Sequence, residues 1–269
     1  MIDLKEQTGL DIVYDVQNNV MIVEGRKMLP TIRRLKDMAD VIFDRKWLGK
    51  ADTEEKLYYM FRDVSRKEDA HVIEKNNLRY DITVIPAGAL GHEFVKTAGH
   101  SHPIVPNTNV TYTELYEVVK GEGLYLLQKT DGKKVRDVYF VKAKKGDKII
   151  IPPGYAHITI NMQDDILVMS NWVARDFKSV YGGIKELKGG VYFVTAEKTL
   201  KNPVYHNMLN VIKFKKPDKC VLLGLRRNEP IYNMIRNPYR LKFLTEPENH
   251  GRLFDHIMEK PHEEVPLDQ

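Results

Sequence analysis

Two short stretches decide the reading of this chain: Gly99-His100-Ser101-His102, followed by Glu114, and Ile151-Pro152-Pro153-Gly154-Tyr155-Ala156-His157. Between them they supply three imidazoles and one carboxylate. A strand alternates its side chains, so His100 and His102 project to one face, as two ligands of a single ion must. Imidazole nitrogen with carboxylate oxygen suits a borderline to hard divalent metal. No thiolate accompanies them, which argues against a structural zinc or an iron–sulfur cluster.

The spacings around these residues repeat a pattern. Glu114 precedes Gly121 by six intervening residues, so the carboxylate sits on a strand that closes in a glycine turn. The second block runs from Gly146 through Pro152 and Gly154 to His157 and Asn161. Glu117 is the competing carboxylate. Strand alternation places Glu114, Tyr116 and Val118 on one face and Glu117 on the other, and the glycine spacing selects Glu114. His71, His92, His206, His250, His256 and His262 have no such company and read as ordinary surface or core histidines.

The rest of the chain reads as scaffold. Residues Asp11 to Glu24 alternate about Asn18-Asn19, a pair suited to a tight hairpin turn. Ile32, Leu35, Met38, Val41 and Ile42 follow a helical spacing, which predicts an amphipathic helix with a core-facing stripe. Lys56 to Val64 and Leu78 to Ile85 read as strands, and strand-like pieces punctuated by glycine turns continue to about Val194. Many short strands of this kind predict a mainly β sandwich or small barrel. From about Lys201 the character changes: an apolar run from Cys220 to Leu225 precedes segments of helical spacing at Pro230 to Leu244 and Leu253 to Met258.

Composition narrows the functional classes. The chain has 269 residues, 42 Lys and Arg against 37 Asp and Glu, and a formal net charge of +5. These charges are interspersed, so no concentrated basic face predicts nucleic-acid binding; the cluster Lys213, Lys215, Lys216 and Lys219 is too short to make one. The single cysteine, Cys220, excludes an intramolecular disulfide and reads as a buried, inert thiol. Met1 to Glu6 carries no apolar signal-peptide core, and no apolar run is long enough to span a bilayer, so the expected location is cytoplasmic.

The paired blocks resemble the cupin motifs. More closely, Thr83-Val84-Ile85-Pro86-Ala87-Gly88, Phe94 to His102, Glu114 to Gly123 and Ile151 to Asn161 resemble the cupin-type glucose-6-phosphate isomerase family of archaea, with further similarity at Ile22 to Gly25 and Arg33 to Ala39. The resemblance spans about residues 11 to 195 and fades in the tail. It implies a double-stranded β-helix, a jelly-roll-like barrel, with an N-terminal β/helix segment and a C-terminal α/β extension. The expected division is a cupin isomerase-like domain over 1–195 and an extension of unknown role over 196–269.

It also implies a homodimer holding one divalent ion (iron, manganese, nickel or zinc) and interconverting glucose 6-phosphate and fructose 6-phosphate in glycolysis and gluconeogenesis. Carried over by position, the metal ligands are His100, His102, Glu114 and His157. The phosphate-binding positions are Thr83, Thr97 and Gly99, with Tyr181 near the sugar. Glu114 and Tyr116 are the catalytic candidates, Glu114 as proton shuttle. The chain departs from the family at Phe94, where the general cupin pattern has glycine, and in a long loop from Pro103 to Thr113. Ser179 replaces a family histidine, and Trp172 falls about where the family has an active-site tyrosine. Rival readings are a cupin enzyme on another phosphosugar, a metal-dependent dioxygenase, or a non-enzymatic sugar or metal sensor.

Overall fold

The computed structural model describes residues 1–226 and 228–267, apart from the side chain of Cys220, so the reading of that thiol lies outside the described residues. Two sheets face each other, the first antiparallel and the second antiparallel apart from one parallel pair. The first has six strands, in the spatial order Lys148–Ile151, Glu114–Lys120, Leu167–Ala174, Leu78–Ile85, Lys56–Phe61 and Thr31–Arg34. The second runs Ala156–Ile160, Glu122–Asp131, Lys134–Lys144, Val211–Lys215 and His262–Pro266. The chain passes between the sheets from Glu114 to Ala174, and this crossing makes the jelly-roll barrel that the motifs imply.

Alternation fills the barrel. Tyr116, Val118, Leu124, Leu126, Ile149, Ile158 and Met169 meet inside it in one apolar cluster. The opposite faces of the first sheet are also covered. Leu115, Val119, Ile150, Val168, Trp172, Tyr80 and Ile82 pack in a second cluster against Leu4, Leu10 and Ile12 of the N-terminal segment and Ile231, Tyr232, Met234 and Leu244 of the tail. A strand buried on both faces loses the apolar/polar alternation that would mark it in sequence, and all eight residues of Leu167–Ala174 are buried.

The hairpin predicted between Asp11 and Glu24 is present: Ile12–Asp15 pairs with Val20–Val23, and Asn19 takes the positive φ of +53°. The helix predicted from Ile32 onward is shorter than expected. Thr31–Arg34 is an edge strand paired with Lys56–Phe61, and only Leu35–Met38 is α-helical, followed by one 3₁₀ turn over Ala39–Val41. The apolar stripe is real, since Leu35, Met38, Val41 and Ile42 are buried, but pairing with the sheet edge outcompetes helix for the first four residues.

The tail is woven into the barrel. Val211–Lys215 joins the second sheet as a parallel neighbour of Lys134–Lys144, and His262–Pro266 pairs with it in turn. Neither strand stands out in the sequence. The helical segments are short 3₁₀ and α turns over Ile231–Arg236, Pro238–Leu241 and Lys242–Thr245, followed by the α-helix Gly251–Met258.

Candidate metal centre

The strand Glu114–Lys120 carries the site's carboxylate. It runs between Lys148–Ile151 and Leu167–Ala174, with Glu114 opposite Ile151 and Val173. His157 enters from Ala156–Ile160 in the other sheet. The segment of His100 closes onto it through an antiparallel bridge, with His100 N–H bonding His157 O at 3.2 Å and His157 N–H bonding His100 O at 3.0 Å.

Side-chain alternation separates the two glutamates as the sequence predicts. Glu114 faces the three histidines. Glu117 points to the outer face, where it meets Lys148 Nζ at 2.8 Å and accepts the Ile231 N–H at 2.8 Å. Burial pushes the Glu117 carboxyl up to about 7 despite Lys148.

Glu114 Oε2 lies 3.1 Å from His102 Nε2, 3.4 Å from His157 Nε2 and 3.9 Å from His100 Nε2. One donor atom from each of the four residues falls within 4.8 Å of all the others. Metal–ligand bonds of about 2.0–2.2 Å set neighbouring donors about 3.0–3.6 Å apart, so this spacing suits a shared ion.

The protonation pattern points the same way. His102 Nδ1 donates to the Tyr112 carbonyl at 2.9 Å, and in the neutral ring this leaves a lone pair on Nε2 facing the Glu114 oxygen at 3.1 Å. Two electron-rich atoms at that distance need a proton or a metal ion between them. Burial, then the neighbouring His157 and His102, hold His100 well below its ordinary value, with Arg62 and Arg33 adding to the effect. Burial lowers His157 to about 4. Burial opposes ionisation of Glu114, but the His102 bond and the nearby His157 and His102 imidazoles outweigh it and keep its pKa below the usual carboxyl value. Imidazole nitrogens beside an ionised carboxylate are the donor set a divalent ion takes.

A pocket opens beside these groups. Its lining includes His100, Glu114, His157, Tyr116, Thr83, Thr97, Gly99 and Tyr181, so every site residue singled out in sequence lines it except His102, which is buried behind. Thr97 Oγ1 accepts the Thr159 N–H at 3.0 Å. Gly99 has φ +75°, and a Cβ there would come within 2.5 Å of Ile158 Cγ1; only glycine fits the turn that leads into His100. Tyr181 Oη accepts from Arg33 Nη2 at 3.2 Å. Tyr116 Oη lies 3.2 Å from His157 Nε2. Burial and the Glu114 charge hold the Tyr116 phenol well above its ordinary value, so it stays protonated.

Trp172 is elsewhere. Its ring is fully buried on the outer face, donating from Nε1 to the Ile231 carbonyl at 2.9 Å and stacked on Tyr232. Its strand neighbours Asn171 and Val173 face the pocket instead, and Ser179 also lines it.

Several lining residues were not singled out in sequence. Asn171 Nδ2 donates to Glu114 Oε1 at 2.7 Å and so orients the carboxylate. Tyr58, Arg62, Arg79 and Phe177 complete the wall, and Phe177 lies against the His102 ring. Stepping back by twos from Thr83 reaches Asp81 and Arg79, a signal that strand alternation alone carries; the cross-strand neighbours Arg62 and Asn171 have no such local mark.

Comparison with known proteins bears on the family. A family model described as glucose-6-phosphate isomerase matches residues 32–209. The glucose-6-phosphate isomerase of Pyrococcus furiosus is 29% identical over 204 residues, covering 74% of this chain and 97% of that protein. That of Pyrococcus horikoshii is 29% identical over 208 residues, covering 76% of this chain and 99% of that protein. Among solved structures, oxalate decarboxylase from Bacillus subtilis overlaps 46% of this chain and 27% of its own at 17% identity and a TM-score of 0.34. With its jelly-roll barrel, its cluster of three histidines and a glutamate, and a family match over about two thirds of its length, this chain belongs to the cupin-type glucose-6-phosphate isomerase family.

Proposed function

We propose that this protein is a metal-dependent aldose-ketose isomerase that interconverts glucose 6-phosphate and fructose 6-phosphate, and that it serves glycolysis and gluconeogenesis as a cytoplasmic homodimer. The observation that carries the reading is the convergence of His100, His102, Glu114 and His157 at the wall of a pocket that also presents hydroxyls and guanidinium groups. A single cysteine suits a reducing compartment, and no helix among the described residues is long and apolar enough to cross a membrane.

These four residues would hold one divalent ion, iron, manganese, nickel or zinc, which supplies Lewis-acid polarisation of oxygens at the reacting carbons. The remaining work falls to side chains. Thr83, Thr97 and the Gly99 amide bind the phosphate. Thr97 already accepts a bond at Oγ1, so its hydroxyl hydrogen is free to donate outward. Tyr181, accepting from Arg33, likewise keeps its hydrogen for a sugar oxygen. Tyr116, protonated at neutral pH, donates beside the reacting carbons.

In the proton-transfer route Glu114 takes the hydrogen from C2 of the aldose and returns it to C1. Its basicity is restrained, since Oε1 accepts from Asn171 and Oε2 faces the histidines. That restraint favours a second route in which hydride passes directly from C2 to C1 while the O2 proton moves to O1, and no base is needed for the carbon-bound hydrogen. Turnover in deuterated water separates them: deuterium at C1 or C2 of the product supports Glu114 as carrier, and its absence supports the hydride route.

The function itself is tested by a coupled isomerase assay with hexose and pentose phosphates, with and without chelator. Metal-dependent turnover of glucose 6-phosphate is expected. Metal-loaded protein that turns over none of them refutes the proposal.

A further inference from the structure

The pocket has charge at an end that phosphate binding by Thr83, Thr97 and Gly99 does not use. Arg79, Asp81 and Thr83 lie on the same inward face of the strand Leu78–Ile85. Asp81 is fully buried and binds two guanidinium groups: Arg62 Nη1 at 2.5 Å and Arg79 Nε at 3.0 Å to each carboxylate oxygen. Both arginines line the pocket. Two cations sharing one carboxylate leave a net positive charge. Arg79 engages Asp81 through Nε, with no hydrogen bond from its two terminal nitrogens among the described residues, and the Arg62 side chain is 41% exposed.

Asp81 therefore acts as a strut that holds two forked donors in place. A rigid pair of guanidinium groups is suited to phosphate or carboxylate oxygens, which it grips in a bidentate way. The spacing fits a two-ended ligand. Four residues of strand separate Thr83 from Arg79 by about 13 Å, and the Arg79 side chain folding back to Asp81 shortens that reach toward the length of a six-carbon sugar with an anionic group on each terminal carbon. The metal centre is level with the arginine end: Glu114 sits opposite Val173, and Val173 sits opposite Arg79, so a ligand held at Thr83 brings its far carbons to the metal and the guanidinium groups together.

We propose that Arg62 and Arg79, braced by Asp81, form a second anion-binding subsite, so that the pocket takes a hexose phosphate carrying a further phosphate or carboxylate at the end remote from Thr83. The inference rests on the proposed phosphosugar reading for the first end, and its test is an equilibrium measurement that needs no turnover. Such doubly anionic ligands would compete with the monophosphate for the pocket.

The test uses two ligands that cannot isomerise and differ by one phosphate, glucitol 6-phosphate and glucitol 1,6-bisphosphate, titrated calorimetrically into the metal-loaded protein. The bisphosphate is expected to bind at least tenfold more tightly than the monophosphate. In Arg79→Gln that ratio should fall toward one, and in Asp81→Asn, which removes the brace, it should fall as well, with monophosphate binding retained in both. Retained monophosphate affinity shows that neither variant has lost the fold, so general misfolding cannot imitate the result. A wild-type ratio near one, or equal weakening of both ligands in Arg79→Gln, overturns the subsite. Binding of neither ligand fails the phosphosugar reading itself and, with it, the subsite that rests on it.

Discussion

Replacing Trp172 by phenylalanine tests the orientation of the strand that forms the pocket's far wall. The indole is fully buried, stacks on Tyr232 at 5.7 Å and 20°, and lies 4.9 Å from the Tyr80 ring. Its N–H bond to the Ile231 carbonyl contributes about 1 kcal/mol. Loss of the larger ring system from a closed site adds about 1–2 kcal/mol through lost transfer energy and the cavity left behind. A total of about 2–3 kcal/mol in a chain of this size lowers the midpoint of thermal unfolding by roughly 5–10 °C. The isomerase KM and kcat at a temperature well below that midpoint should stay within about twofold, because the ring touches the tail and not the pocket. Thermal unfolding followed by circular dichroism, together with steady-state kinetics, checks both halves. A large change in KM with no loss of stability would refute the reasoning: it would place the indole in the pocket and shift the register of Leu167–Ala174 by one residue, turning every side chain to the opposite face.

The metal centre supports three further expectations. Glu114→Gln should reduce metal affinity at least 100-fold while leaving the urea midpoint of the metal-free protein nearly unchanged, measured by metal titration and denaturation; retention of wild-type affinity would point to a different ligand set. Asn171→Ala releases Glu114 Oε1 and should cost about 10- to 100-fold in metal affinity or kcat, as removal of a group that orients a ligand does. The His157 pKa is lowered from 6.5 to about 4 in the folded metal-free protein, so the unfolded chain binds more protons in this window. Stability from this group is then present above about pH 6.5 and lost as the pH falls toward 4, and urea titrations should show the pH-dependent loss to be smaller by about 3 kcal/mol in His157→Gln than in the wild type.

The sequence shows the ligands more plainly than the walls around them, and the reason is geometric. His100, His102, Glu114 and His157 are marked by local spacing, because two of them share a strand-like segment and the others sit at set distances from glycine turns. Glu117 could be set aside by alternation alone, and the structure places it on the outer face beside Lys148. Arg62, Asp81, Asn171 and Tyr116 meet in one row across four strands, a proximity created by registers between segments as far as 109 residues apart, from Arg62 to Asn171, and no local pattern encodes it. The early segment misled in a different way: Ile32, Leu35, Met38 and Val41 keep helical spacing while the first of them pairs into a sheet edge, because burial of an apolar stripe is satisfied by either conformation.

The tail shows why the first sheet has to be read from both sides at once. Its strands present ligands and pocket residues inward, and the alternate residues outward meet Leu4, Ile12, Ile231 and Tyr232. A barrel strand with one wet face would tolerate polar outward residues; here Leu115, Val168 and Trp172 must be apolar because the N-terminal segment and the tail seal them. Two hydrogen bonds fasten that seal at the metal centre's own strands: Ile231 N–H donates to Glu117, three residues from the ligand Glu114, and Ile231 O accepts from Trp172, next to Asn171. The segment that carries no ligand thus grips the two strands on which Glu114 and its orienting amide stand, and the stability of the frame that bears the site depends on packing behind it as well as on the groups that face it.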